Sequence, residues 1–230
     1  MPELKPMDSV RLHADFGKRV VLAPEEPGWA PSPMPGVERR MLDRIGDKVA
    51  RATSIVRYSA GSRFAAHEHD KGEEFLVLNG IFSDEHGDYP SGAYVRNPNG
   101  SRHAPFSERG CTIFVKLRQF AQGDRQHKVL RPADMMFRPG LVAGLEVMPL
   151  HQFGSEQAAL VRWRPGTEFR AHRHWGGEEI LVLEGVFEDE HGVYPAGSWI
   201  RSPHRSVHNP FSRAGCLLYV KTGHLPSKGG

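Results

Sequence analysis

The stretch GSRFAAHEHDKGEEFLVLNG, at positions 61–80, occurs a second time as GTEFRAHRHWGGEEILVLEG, at positions 166–185. The two copies lie 105 positions apart without a gap. About half of the positions are identical when 57–117 is aligned with 162–222. Since chance does not repeat a pattern of this length, the sequence predicts two copies of one structural module.

Each copy carries four side chains that commonly bind metals. They are His67, His69, Glu73 and His103 in the first copy and His172, His174, Glu178 and His208 in the second. Alternate side chains of a strand share a face, so the two histidines of H-x-H can reach one ion together. The glutamate has the same parity after a short turn, and the last histidine comes from a distant strand. The pattern predicts one divalent metal ion per module.

These motifs resemble those of the cupin family. The first cupin motif, G-x(5)-H-x-H-x(3,4)-E-x(6)-G, is matched from Gly61 and again from Gly166. The second motif, G-x(5)-P-x-G-x(2)-H-x(3)-N, is matched from Gly92, but Arg205 stands at its second glycine in the later copy and serine replaces the final asparagine in both. The resemblance implies an all-β bicupin of two tandem antiparallel jelly-roll β-barrels, with the eight residues above as metal ligands.

More narrowly, the phrases WAPSPMPGVERRML and GEEFLVLNGIFSDEHGDYPSGAYVRNPNGSRHAPFS resemble the cupin domain of ChrR, a zinc-dependent anti-sigma factor that senses singlet oxygen. The resemblance implies a regulatory or sensor protein that responds to a small molecule or an oxidant. It also makes zinc the first choice of metal, with iron, nickel and manganese as alternatives.

One departure from ChrR concerns partners. ChrR proteins have a separate N-terminal domain that binds the sigma factor and its own zinc through histidine and paired cysteines. The residues before Trp29 contain one histidine, His13, and no cysteine. A sigma factor is therefore not expected as a partner, while another protein partner and a homodimer stay open alternatives.

The proposed ligand set also allows an enzyme. Three histidines and a glutamate leave a coordination position open, which is typical of catalytic or ligand-sensing sites. The alternative function is a metal-dependent dioxygenase acting on a diketone or an aryl ketone, as the related acetylacetone dioxygenases do, and sugar isomerisation is a third option. Either way we expect a small, largely apolar ligand, because four apolar residues continue the inward face after the glutamates. These are Phe75, Val77, Ile180 and Val182.

Composition excludes several other classes. The net charge is +3, charged residues make up 25% and no Lys/Arg run of the kind that marks a nucleic-acid surface occurs, so nucleic-acid binding is not expected. No apolar segment is long enough for a membrane helix and no signal-peptide core is present, which favours a cytoplasmic protein. The two cysteines, Cys111 and Cys216, are expected to be small buried hydrophobic residues rather than a disulfide.

Turn residues recur between short β-rich runs, as in a jelly roll. We expect an N-terminal cupin domain with an extended leader at 1–120, a linker at 121–139 and a C-terminal cupin domain at 140–230.

Several charged residues of the repeat allow more than one interpretation. Glu74 and Glu179 follow the ligand glutamates, and each either pairs with the arginine that starts its module, Arg57 or Arg162, or is solvated. The remaining histidines of interest are His86 and His191, expected in exposed hairpin turns, and His204, which has no counterpart in the first half and is either a pocket-rim or a surface residue.

Overall fold

The computed structural model describes residues 10–226, and nearly all regular structure in that range is β-strand. Strands β1 to β13 are Arg11–Leu12, Val20–Leu22, Ala30–Pro31, Val37–Ile45, Arg51–Tyr58, Ser62–Arg63, His67–Glu68, Glu73–Asp84, Gly87–Pro90, Tyr94–Asn97, Arg102–His103, Phe106–Ser107 and Cys111–Leu117. Strands β14 to β25 are Lys128–Leu130, Arg138–Pro139, Leu145–Phe153, Glu156–Trp163, Thr167–Glu168, His172–His174, Glu178–Asp189, Gly192–Pro195, Trp199–Ser202, Ser206–His208, Phe211–Ser212 and Cys216–Thr222. The described helix content is one 3-10 turn at Pro132–Asp134.

The two halves fold into equivalent antiparallel jelly rolls. The first has the strand order β1-β4-β5-β13-β8-β10-β14 and the second has β15-β16-β17-β25-β20-β22-β2. The long strands β8 and β20 each pair with one set of strands along their first half and with another along their second half. The predicted all-β bicupin is therefore confirmed.

The last glycine of each first motif marks the point where the long strand bends. Gly80 and Gly185 have φ angles of +74° and +71°, a region that side chains with a Cβ rarely adopt. A Cβ at either position would also clash with a carbonyl oxygen, that of Gly110 or Gly215. The strand can thus pass close to its neighbour and continue into the second sheet of the barrel.

Each module receives a strand from the leader of the other. Strand β2, from the N-terminal leader, pairs with β22, so that Val20 lies opposite Arg201 in the second module. Strand β14, from the segment expected to be a linker, pairs with β10, so that Lys128 lies opposite Arg96 in the first module. Each leader thus adds one strand to the barrel of the other module, and these hydrogen-bonded strands connect the two barrels.

The hydrophobic residues form three buried clusters. One fills the first barrel and includes Cys111, one fills the second and includes Cys216, and both cysteines are buried free thiols as expected. The third cluster lies between the modules, where the ring of Phe114 contacts that of Tyr219 with centroids 5.2 Å apart. Burial of apolar surface between the sheets therefore stabilises the pair of modules as one unit.

Within residues 10–226, no helix has the length and apolar character required to cross a membrane.

Candidate metal centre

The structure brings the three histidines of each module together. His67 lies on β7 and is paired directly with His103 on β11, and His69 follows two residues later on the same face. In the second module His172 lies opposite His208 in the same way. Within each trio, one ring nitrogen per histidine lies within 4.8 Å of the others. Each module therefore has a group of three histidines that could hold a metal ion.

The glutamates stand at the start of β8 and β20, beside the histidines. Glu73 Oε2 lies 3.4 Å from His69 Nε2 and 3.6 Å from His103 Nε2. Glu178 Oε2 lies 3.5 Å from Nε2 of both His174 and His208. Metal–ligand bonds of about 2.0–2.2 Å give ligand-to-ligand separations of this size. The glutamates are positioned to complete the donor set, and their role as ligands remains a prediction.

Several of these donor atoms are buried without any hydrogen-bond partner in the described chain. They are Nε2 of His69, His103, His174 and His208, and Oε2 of Glu178. Buried polar atoms nearly always have a partner, so a convergent group of orphaned atoms requires an explanation. Nitrogen and carboxylate oxygen donors aimed at one point fit a divalent ion of the first transition series.

The other ring nitrogens of the clustered histidines make hydrogen bonds that fix the ring orientation. His103 Nδ1 lies 3.1 Å from Asp84 Oδ2, and Asp84 also accepts a hydrogen bond from the Tyr89 hydroxyl at 3.1 Å. His67 Nδ1 lies 3.0 Å from the carbonyl oxygen of Ala65. These contacts direct Nε2 toward the centre, as outer partners of metal-binding histidines do.

The second module repeats this arrangement with one addition. Asp189 Oδ2 lies 3.5 Å from His208 Nδ1, and Asp189 accepts hydrogen bonds from the Tyr194 hydroxyl at 2.7 Å and from Arg19 at 3.0 Å. Sequence reasoning missed both aspartates. The repeat carries a signal for them, since each begins a DEHG sequence, at 84–87 and 189–192, but the pattern by itself predicts only the hairpin turn of His86 and His191.

Burial sets the protonation of the site. It lowers the pKa of His69 and lowers the pKa of His174 to about 3, with help from the neighbouring histidines in the second case. Burial also raises the pKa of Glu178 to about 7, although His208 opposes the shift. Neutral imidazole is the form that binds metals, so the lowered pKa values favour the ligand form of His69 and His174 at neutral pH, whereas, against the effect of burial, the carboxylates beside His103 and His208 raise the pKa values of those two rings.

Replacing Asp84 with asparagine is expected to weaken metal binding in the first module by about 10–100-fold, because His103 loses the carboxylate that orients it and raises its basicity. Competition against a fluorescent chelator would measure this. Asp189→Asn should have the same effect on the second module, and Glu108→Gln, at an exposed position, should have none. Unchanged affinity in a folded Asp84→Asn variant would contradict the assignment.

A family model described as the ChrR cupin-like domain matches this chain twice, at residues 17–121 and 125–226. The chain belongs to the ChrR cupin-like domain family. Both matches begin before the leader strands β2 and β14, which agrees with the repeat seen in the structure. A search of curated proteins found no sequence that matches it.

Solved structures support the same fold. A candidate dioxygenase from Nostoc punctiforme is 15% identical with a TM-score of 0.73, covering 90% of this chain and 82% of its own. A candidate glyoxylate-induced protein from Pseudomonas aeruginosa is 12% identical with a TM-score of 0.72, covering 100% and 96%. The pirin YhhW from Escherichia coli, solved with nickel(II), is 14% identical with a TM-score of 0.64, covering 91% and 99%. At such identities the likeness concerns the fold.

In the first ChrR-like module, a cavity of about 370 Å³ reaches the histidine cluster. His67, His69 and Glu73 form part of its lining. Apolar side chains form most of the rest, and they are Val37, Val49, Ala50, Val56, Tyr58, Phe64, Pro105, Ile113, Val115 and Leu117. The volume lies within the range of small-molecule sites.

The apolar walls of this cavity come from other strands than the sequence predicted. Phe75 and Val77 are buried in the barrel interior, but they do not line the cavity. The ring of Phe75 packs against that of Phe82 with centroids 4.7 Å apart, and Phe82 in turn lies beside His103. Phe82 therefore packs against the histidine cluster, while strands β4, β5 and β13 supply most of the cavity walls. In the second module Ile180 and Val182 are likewise buried core residues.

The predicted pairs of Arg57 with Glu74 and of Arg162 with Glu179 are wrong. Arg57 bonds to Glu38 at 2.6 Å on the exposed side of the sheet, and Arg162 lies 3.6 Å from Glu146. Glu74 and Glu179 point instead toward the other module, where Glu74 pairs with Lys221 and Glu179 with Lys116. The alternative of solvated carboxylates is wrong for the same reason, because both are buried.

The remaining histidines lie outside the clusters. The side chains of His86 and His191 are 64% and 49% exposed in their hairpin turns, as predicted. His204 accepts a hydrogen bond from the backbone of Gly176 at 2.8 Å and contacts the Trp175 ring. It therefore orders the loop after His174 in the second module.

Proposed function

We propose that this chain is a regulatory sensor that holds one divalent metal ion in each cupin module and responds there to a small molecule or an oxidant. Zinc is the first choice of metal, with iron, nickel and manganese as alternatives. The observation that carries the proposal is the twofold occurrence of convergent, buried donor atoms without partners, beside a cavity in the first module. The family relationship to ChrR supports the regulatory role.

The residues that would hold the ions are those predicted from the motifs. In the first module they are His67, His69, His103 and Glu73, and in the second they are His172, His174, His208 and Glu178. A bound divalent ion supplies Lewis acidity and an open position that an oxygen atom of a ligand can take. The chain itself lowers the pKa values of His69 and His174 by burial, orients His103 through Asp84 and, in the first module, surrounds the site with apolar walls.

The glutamates are the ligands best suited to transmit a signal. A carboxylate can change between one- and two-oxygen binding, whereas the histidine rings are fixed by their outer hydrogen bonds. Glu73 lies at the first residue of β8, and Asn97 of the neighbouring strand donates a hydrogen bond to its Oε2 at 3.2 Å. A shift of this carboxylate would therefore reach two adjacent strands.

A dioxygenase that acts on a diketone or an aryl ketone is the second candidate. The observation that favours it is the cavity of about 370 Å³, which gives an apolar substrate access to the first cluster. The similar Nostoc structure, described as a candidate dioxygenase, supports this class for the fold only. Iron would then be the metal.

The proposal includes a cytoplasmic location and a small-molecule ligand. Two free, buried cysteines are compatible with a reducing compartment. The same proposal includes a protein partner whose binding depends on the state of the metal site.

Elemental analysis followed by oxygen-consumption assays distinguishes the two candidates. Protein purified without chelator would be analysed for zinc, iron, nickel and manganese, and then mixed with acetylacetone or acetophenone in an oxygen electrode. Zinc without oxygen uptake supports the sensor, whereas iron with uptake that depends on substrate supports the dioxygenase. Protein without any of these metals, even after reconstitution, would contradict both.

Replacing Glu73 with alanine is expected to weaken metal binding in the first module by more than the roughly 10–100-fold typical of an outer partner. Glu178→Ala should do the same in the second module. The physical reason is the loss of a charged oxygen donor from a buried site. The measurement is a metal titration monitored by isothermal titration calorimetry, and Glu184→Ala, at an exposed position, is the control. If both variants kept wild-type metal content and ligand affinity, the glutamates would not be ligands.

A further inference from the structure

The two modules differ in the hairpin that joins their first two long strands. In the first module β4 and β5 are connected by residues 46–50, and in the second β16 and β17 are connected by residues 154–155. The repeat offset changes across this hairpin, from 108 positions between Gly36 and Gly144 to 105 between the later motifs. The first module thus has three additional residues here, and Lys48, Val49 and Ala50 of this longer connection line the cavity.

A second difference lies on the inward face of β4. Val37 and Arg39 have the same parity on this strand, and both line the cavity. Arg39 lies opposite Val56, and the equivalent register in the second module places Val147 opposite Val161. The first module therefore directs an arginine into its interior where the second has a valine.

Arg39 is half-buried, and its guanidinium has no ion pair or side-chain hydrogen bond within residues 10–226. Lys48, exposed at the same cavity, also lacks an ion pair in this range. The other charged lining residues are Arg118, Glu68, Asp70 and Glu73. Arg118 is paired with Asp70, and Glu73 faces the histidine cluster. Among the described lining residues, Arg39 and Lys48 are therefore the cations without a carboxylate partner. Glu68 is the one lining carboxylate that neither pairs with a cation nor faces the histidine cluster.

We infer that the cavity of the first module binds a small organic acid with an apolar body. Its carboxylate is held by Arg39 and Lys48, and its body lies against Val56, Ile113 and Val115, next to the histidine cluster. Arginine binds a carboxylate through two parallel hydrogen bonds, which makes it selective for this group. The inference names the ligand class of the proposed function and rests on it. It also assigns different roles to the modules, with ligand recognition in the first.

The test uses the full-length, zinc-reconstituted protein and isothermal titration calorimetry. Hexanoate and benzoate are the acidic probes, and hexanamide and benzamide are their neutral counterparts. We expect at least one of the two acids to bind with one equivalent per chain and at least about 10-fold more tightly than its amide, since hydrogen bonds to charged groups are the stronger ones. Arg39→Val, which copies the second module, should lower the affinity for that acid by roughly 10–100-fold.

One control variant and one replacement variant accompany this test. Arg57→Val removes an arginine from the neighbouring strand on the opposite, exposed face, and should leave acid binding unchanged. Arg39→Gln serves the same purpose as Arg39→Val if the valine variant does not fold. Binding of neither acid, equal affinity for acid and amide, or acid binding that persists in Arg39→Val and Arg39→Gln would overturn the inference. In each of these outcomes the protein would still hold its zinc. Failure of the proposed function would instead appear as protein that holds no zinc after reconstitution.

Discussion

Replacing Lys116 with methionine is expected to lower the free energy of unfolding by about 3–5 kcal/mol. Lys116 is 1% exposed, and its ammonium donates hydrogen bonds to both carboxylate oxygens of Glu179, in the other module, at 2.7 and 2.6 Å. Methionine preserves most of the volume of the side chain but removes its charge. The fully buried carboxylate is then left without the lysine that neutralises it, and breaking a buried pair in this way is strongly destabilising.

Urea denaturation monitored by circular dichroism would measure the decrease in the free energy of unfolding. The double variant Lys116→Met/Glu179→Gln should recover most of it, because neither charge remains buried. Arg63→Met breaks the exposed pair with Glu108 and should change the free energy of unfolding by less than about 1 kcal/mol. A Lys116→Met variant no less stable than Arg63→Met would contradict this account of the interface.

The pKa of Glu179 determines how this effect depends on pH. Burial alone would raise the pKa of Glu179, but Lys116 and His224 lower it well below the usual value of 4.5. A carboxyl whose pKa is lowered in the folded state stabilises the protein above its unfolded pKa, and the stabilisation is lost as the pH falls. The stability contributed by Lys116 should therefore be present in full at neutral pH and decline below about pH 4.5.

Replacing His69 and His174 together with alanine is expected to abolish metal binding, and either single change should leave about one equivalent. Each change removes one of the three nitrogens that converge on a centre, and no other described histidine of the module lies within reach to replace it. The modules have separate clusters on separate strands, so loss of one should not empty the other. His86→Ala, in an exposed turn, is the matched control and should retain both equivalents.

The sequence predicted the histidine clusters because they depend on local periodicity and on repetition. An H-x-H sequence in a strand places two histidines on one face, and the second copy at a constant offset identified the distant histidines as well. The buried free cysteines and the exposed His86 followed from similar local reasoning. Asp84 could have been found in the same way, since it is repeated as Asp189.

The interface could not be predicted from such patterns. Glu74 is neutralised by Lys221, 147 positions away, and by Arg96, and the hydroxyl of Tyr219 donates to it as well. Nothing near Glu74 in the sequence distinguishes it from an exposed carboxylate beside the proposed metal ligand Glu73. The pairing of β2 with β22 of the second barrel could not be predicted either, because a three-residue strand in a proline-rich leader carries no pattern that identifies its partner in another module.

The most direct test of the account is the number of metal ions per chain. Inductively coupled plasma mass spectrometry on protein reconstituted and then desalted should give two equivalents for the wild type. It should give one for His69→Ala, one for His174→Ala and none for the double variant. A wild-type protein that binds no metal, or a double variant that still binds two equivalents, would contradict the claim that each cupin module holds its own ion.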